Sequence, residues 1–219
     1  MRQQKSITII FILVLFFVAN NSFAHSSIID VEKMSSKETL LLYLQLGFQH
    51  IIPLGLDHIL FIIALFIINP KFKDILLQAT AFTIAHTITL GLSMFQIIKA
   101  PTQIVEIIIA VSIVYVAVEN IYSNKVKPSR IAIVFLFGLI HGLGFAAVLS
   151  EIGLPQNKFI PSLLMFNIGV ELGQIAVITL FYFLLIKWVK HKEYYRIKIV
   201  RPISFLISLV AIFWIFERI

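Results

Sequence analysis

"GFQHIIPLGLDHILFIIALFII" occupies residues 47–68 and places a His, a Pro, a Gly and an adjacent Asp–His pair at the mouth of an unbroken apolar run. Proline removes a backbone donor and breaks a helix, so the stretch reads as an apolar segment whose first turns carry freed carbonyls beside titratable side chains. Ionisable groups within lipid-soluble sequence are costly, and an Asp–His pair beside a helix break points to ion binding rather than to packing.

The remainder of the chain has the same character. Of 219 residues, 59% are hydrophobic and 13% charged, and a mean hydropathy of +0.98 excludes an ordinary soluble domain. The absence of cysteine excludes disulfides, thiolate metal sites, iron–sulfur clusters and cysteine nucleophiles. Residues 1–24 have the form of a signal peptide: Arg2 and Lys5, an apolar stretch from Ile7 to Val18, and small residues at Ser22 and Ala24, so that cleavage leaves His25 first. Residues 25–51 form a short exported segment in which 40–49 suit an interfacial helix, and residues 52–219 form the transmembrane domain.

Six apolar segments in that domain reach the ~20 residues that a bilayer requires: 52–69, 75–98, 102–122, 131–149, 160–187 and 201–217. No alternating pattern competes, and the fold class expected is an all-α polytopic membrane protein. With the exported end outside, the loops at 70–74, 123–130 and 187–201 face the cytoplasm and carry eleven of the 18 basic residues. The positive-inside rule converts that bias into an inner-membrane orientation with both termini outside. The pI of ≈ 9.7 is then a topology signal, and no nucleic-acid partner is expected.

Between their terminal residues these spans hold Asp57, Glu106, Glu119 and Glu171 with His58, His86 and His141, and neither Lys nor Arg. An acid near mid-bilayer costs ~2.5–3.5 kcal/mol on insertion scales, and a divalent metal supplies the missing positive charge. At ~1.5 Å rise per residue, His86, His141 and Glu171 each lie ~15–16 Å from a span end, so they converge near the midplane. Asp57, His58 and Glu106 fall a turn or two below the outer surface, which suggests an outer capture station and a midplane station. Thr83, His86 and Ser93 share one helix face, as do Asn167, Glu171 and Gln174. Gly138-x-x-x-Gly142 and Gly169-x-x-x-Gly173 allow close packing around His141 and Glu171. A Phe stands four residues before each midplane His, in "FTIAH" (82–86) and "FGLIH" (137–141).

The segments "HIIPLGLDHILF" (50–61), "TAFTIAHTITL" (80–90), "VEIIIAVSIVYVAVEN" (105–120), "FGLIHGLGFA" (137–146) and "FNIGVELGQ" (166–174) together resemble the HupE/UreJ family of bacterial membrane proteins. The resemblance implies a nickel- or cobalt-permease-like carrier serving hydrogenase or urease maturation. By the same resemblance His50, Asp57 and His58 carry over as metal ligands, and His86, His141 and Glu171 match the pattern of the family's second branch. The chain departs from the permease-like members by an extra residue between His50 and Asp57, and by single His residues at 86 and 141 in place of a close pair.

The expectation is a secondary, not ATP-driven, carrier for Ni²⁺, Co²⁺ or Zn²⁺, with metal-site residues His50, Asp57, His58, His86, Glu106, His141 and Glu171, no catalytic residue and no prosthetic group. Expected partners are the lipid bilayer, the metal as substrate, and maturation proteins or a second copy of the chain. The rival readings are an intramembrane zinc hydrolase and an accessory protein of metalloenzyme assembly. Affinity should fall as pH drops below the ordinary imidazole value of ~6.5, because ligation needs neutral His.

Overall fold

The computed structural model describes residues 31–219 except 124–127, 153 and 191–193, so the expected signal peptide and His25 lie outside the described residues. The described residues contain seven main helices and no strand. α1, Ser36–Ile51, starts at a capping box: Ser35 Oγ accepts from the Glu38 amide at 3.3 Å, and the Glu38 carboxylate accepts from the Ser35 amide at 2.9 Å. It ends where Pro53 cannot donate, and α2, Leu56–Ile68, leaves at 66°. Gly55 is required at this break because a side chain there would overlap the His50 carbonyl.

α3 is Phe72–Met94, α4 is Thr102–Tyr122, and α5 is Arg130–Ile152. α6, Phe159–Phe181, continues through a π turn, Tyr182–Ile186, to Val189. α7, Arg201–Arg218, comes after a π turn at Arg196–Val200. Five of these helices are long and apolar enough to cross a membrane, and the bent α1–α2 pair passes the same test jointly.

The pair is a broken span and not a re-entrant loop. At one end Lys158, just before α6, donates to the Met34 carbonyl at 2.7 Å. At the other, the α2 carbonyls of Ala64 and Ile67 accept from Asn120, at the end of α4, and from Tyr195, ahead of α7. The pair therefore runs from one end of the bundle to the other and makes a sixth span. Both ends of the described chain lie on the same side, since Arg218 donates to the Glu106 carbonyl at the start of α4. The segment expected as an interfacial helix is a packed helix that runs alongside the first half of α6.

The bundle closes through α3 on α5, α1 on α6 and α4 on α7, with α2 between α4 and α6. α2 is buried on most of its faces, through Phe61, Ala64, Leu65, Phe66 and Ile67, as expected for a helix apolar all round. The outer helices expose large apolar residues such as Ile84 and Ile88 of α3 and Phe205, Leu209 and Phe213 of α7, the surface that lipid covers.

Glycines set the close seams. A Cβ at Gly138 or Gly142 would overlap the Phe82 or His86 carbonyl of α3 within contact distance, and one at Gly47 would overlap the Phe166 carbonyl of α6. Gly47→Ala is therefore expected to destabilise by ~1–3 kcal/mol through overpacking of rigid backbone, measured by thermal unfolding in micelles. Gly91→Ala meets only the Leu163 methyl, at 3.2 Å, and should unfold near the wild-type midpoint; equal midpoints for both variants would refute the seam argument.

The expectation that the buried acids lack basic partners is corrected here. Arg130, assigned to a loop by sequence, is 1% exposed, and its Nη1 lies 3.0 Å from Glu119 Oε2. Arg218 folds back so that its Nε stands 3.9 Å from the Glu106 carboxylate. Arg130 opens α5, where a basic residue ordinarily marks the membrane boundary, so its sequence position alone carries no sign of burial.

Candidate functional site

Six histidines occur in the chain; His25 and His191 lie outside the described residues. Each of the other four converges on one point. His50 comes from the last turn of α1, His58 from the first turn of α2, His86 from the middle of α3 and His141 from the middle of α5. The His58 ring is central, with centroids 4.6 Å from His50, 6.1 Å from His86 and 5.0 Å from His141. One ligand atom from each of His50, His58 and His86 lies within 4.8 Å of the others.

The α1–α2 break creates this convergence. α1 descends beside α6 for 16 residues, ~24 Å at 1.5 Å per residue, so the chain is deep in the bundle before Pro53 interrupts it. His50 and His58 then sit level with His86 and His141. His58 of the expected outer station thus stands beside His86 and His141 of the expected midplane station.

Hydrogen bonding fixes three of the imidazoles. His141 Nδ1 is 2.8 Å from the Phe137 carbonyl, and His58 Nδ1 is 3.1 Å from Asp57 Oδ1. His86 Nδ1 is 3.1 Å from Asn167 Oδ1, and the amide of Asn167 is oriented by its Nδ2 donating to the Leu163 carbonyl at 2.8 Å. A carbonyl, a carboxylate and an amide oxygen can only accept, so each Nδ1 carries the proton and each Nε2 presents a lone pair. Nε2 of His50, His58, His86 and His141 is in every case buried without a hydrogen-bond partner. Four orphaned imidazole nitrogens in one apolar interior form a donor set that suits a borderline divalent cation. Ligand atoms on a tetrahedral ion with ~2.0–2.1 Å bonds stand ~3.4 Å apart, so a small closure brings the ligand atoms of His50, His58 and His86 to bonding distance, with the His141 ring beside that of His58.

Aromatic rings seal the cluster. Phe82 lies 4.8 Å from His141 and 5.6 Å from His58, and the Phe145 ring, 3.9 Å from His50, stacks on Phe166 at 5.1 Å. The Phe–His spacing noted in the sequence has a use at both positions: Phe82 packs on the imidazoles, while Phe137 contributes its carbonyl.

The expected acids fall into two groups. Asp57 joins the site, where its Oδ1 accepts from both the His58 amide at 2.8 Å and the His58 ring, the arrangement by which a carboxylate orients a ligating histidine. Glu171 stands a turn away on the α3–α6 seam, held by the hydroxyls of Thr80 at 2.7 Å and Thr83 at 2.6 Å. Glu106 sits at a bundle end against Arg218. The structure sets His50 and His58 beside His86 and His141, while Glu171 lies one turn along α6 from Asn167, the partner of His86. Asn167, which fixes the His86 tautomer, was legible only as a polar residue on the inward face of α6.

An all-α, polytopic membrane protein with a buried four-histidine cluster on a broken span is the class that fold and site define. A family model described as HupE / UreJ protein matches residues 24–218, and the chain belongs to that family. Comparison with curated proteins and with solved structures finds no match in either.

Proposed function

We propose that the protein carries a divalent transition-metal cation across the cytoplasmic membrane, with His50, His58, His86 and His141 as the binding site and Asp57 as the carboxylate that orients His58. The observation that carries this reading is the set of four buried, unpartnered Nε2 atoms, three of them on rings whose Nδ1 is anchored. The donor chemistry, nitrogen without thiolate, favours Ni²⁺, Co²⁺ or Zn²⁺ over Cu⁺, and family membership agrees with a nickel- or cobalt-type cargo. Membrane potential is a sufficient driver: a divalent ion crossing the full field gains ~4.6 kcal/mol per 100 mV.

Placing the site mid-bundle on a discontinuous span suits alternating access, because a break lets two half-helices move separately around a fixed ion. The test is uptake into proteoliposomes that contain a metal-sensitive dye, with an imposed inside-negative potential. Ni²⁺, Co²⁺ or Zn²⁺ should enter faster than into protein-free vesicles, and removing the potential should slow the flux. Vesicles that admit none of the three ions above the protein-free rate would overturn the reading.

A further inference from the structure

A groove with a volume of ≈ 480 Å³ opens at the bundle end where α3 begins and α6 finishes, remote from the histidines. The turn into α3 contributes Lys71 and Phe72, and the end of α6 contributes Thr179, Tyr182, Phe183 and Lys190. We propose that this groove binds one anionic glycerophospholipid, with its phosphate between Lys71 and Lys190 and an acyl chain along Phe72 and Phe183.

Charge, shape and level all favour that occupant. The lining holds two ammonium groups and no carboxylate; nearby Asp74 already accepts from Asn69 at 2.7 Å. Lys190 Nζ is 3.2 Å from the Tyr182 hydroxyl and 5.1 Å from the centre of its ring, which holds the ammonium at the groove while leaving hydrogens for a phosphate oxygen. Phe72 and Phe183 are exposed, so the apolar wall is continuous with the lipid-facing surface.

The level is set by length. α6 with its extension has 31 residues, ~46 Å against a hydrocarbon core of ~30 Å, so its final turns reach the headgroup layer. There Lys187 lies 5.5 Å from the Phe183 ring centre and 5.6 Å from that of Trp188, and Trp188 Nε1 donates to the Phe183 carbonyl at 2.9 Å. This is the aromatic and basic composition of a membrane interface. The π turn Tyr182–Ile186 widens the helix at the groove, and such interruptions recur at functional sites. Basic recesses between spanning helices suit lipid head groups.

The two tryptophans of the chain are Trp188 and Trp214, so a Trp214→Phe background reports on Trp188 alone. In phosphatidylcholine vesicles, brominated-chain phosphatidylglycerol should quench Trp188 about twofold more than brominated-chain phosphatidylcholine at the same mole fraction. Lys71→Gln with Lys190→Gln should abolish the excess. Native mass spectrometry of the wild-type chain, taken from mixed bilayers, should independently show retained phosphatidylglycerol, which decides the question even where a variant fails to insert. Equal quenching by the two lipids with no retained phosphatidylglycerol overturns the proposal. Displacement of the brominated lipid by inorganic phosphate also overturns it, because the groove is then a free-anion site.

Discussion

His58→Ala is expected to remove high-affinity metal binding, with a loss larger than the ~10–100-fold caused by removal of an outer-sphere partner. His58 is the hub of the cluster: its ring faces His50, His86 and His141, it is 3% exposed, and its unpartnered Nε2 has no function in packing. Asp57→Asn should cost less, in the ~10–100-fold range, because the amide oxygen still accepts from the His58 ring while the negative charge is gone. Glu106→Gln, at a bundle end, should leave affinity close to wild type. Competition titration of Ni²⁺ on the purified full-length chain measures all three. Wild-type affinity in His58→Ala would reduce the cluster to a packing feature.

Arg130→Met should destabilise by ~3–5 kcal/mol, the usual cost of stripping one partner from a buried ion pair. Arg130 Nη1 serves Glu119 at 3.0 Å and the Asn120 side chain at 3.1 Å, while Nη2 reaches the Ala64 carbonyl at 3.3 Å. The guanidinium thereby ties the end of α4 and the far part of α2 to the start of α5. Without it the Glu119 carboxylate remains enclosed and uncompensated. Combining Arg130→Met with Glu119→Met should restore much of the stability, since an apolar pair of similar volume avoids that charge. Unfolding in nanodiscs monitored by circular dichroism provides the midpoints. A single variant as stable as wild type defeats the account, and a double variant no better than the single one assigns the tie to Asn120 and the Ala64 carbonyl instead.

Span positions were legible because hydropathy and helix breakers act locally. Segment 102–122 coincides with α4, and the other drawn spans differ from their helices by a few residues at each end. The exception is the first span. Sequence reading placed Pro53 and Gly55 at the membrane surface, because the polar stretch ahead of Glu38 does not fix how deep the next helix runs. The structure puts the break in the interior, since Gly47 and Gly169 let α1 lie directly against α6.

The acids show the same division. Glu106, Glu119 and Glu171 are equally anomalous as isolated letters in apolar helices. Their separate fates depend on Arg218, 112 residues from Glu106, on Arg130, 11 residues from Glu119, and on Thr80 and Thr83 across the α3–α6 seam. Nothing in the local pattern of any one helix specifies such partners.

The all-helical membrane class and the presence of histidines and carboxylates within apolar segments were readable from the residues alone, because lipid solubility and imidazole chemistry belong to residue types and short spacings. Packing brings the rings of His50, His58, His86 and His141 together and places the Glu171 carboxylate against the Thr80 and Thr83 hydroxyls. Each residue turns a helix by ~100° and raises it by ~1.5 Å, so which side chains meet depends on the rotation and axial offset of one packed helix against another, and those are set by glycine contacts and cross-bundle hydrogen bonds.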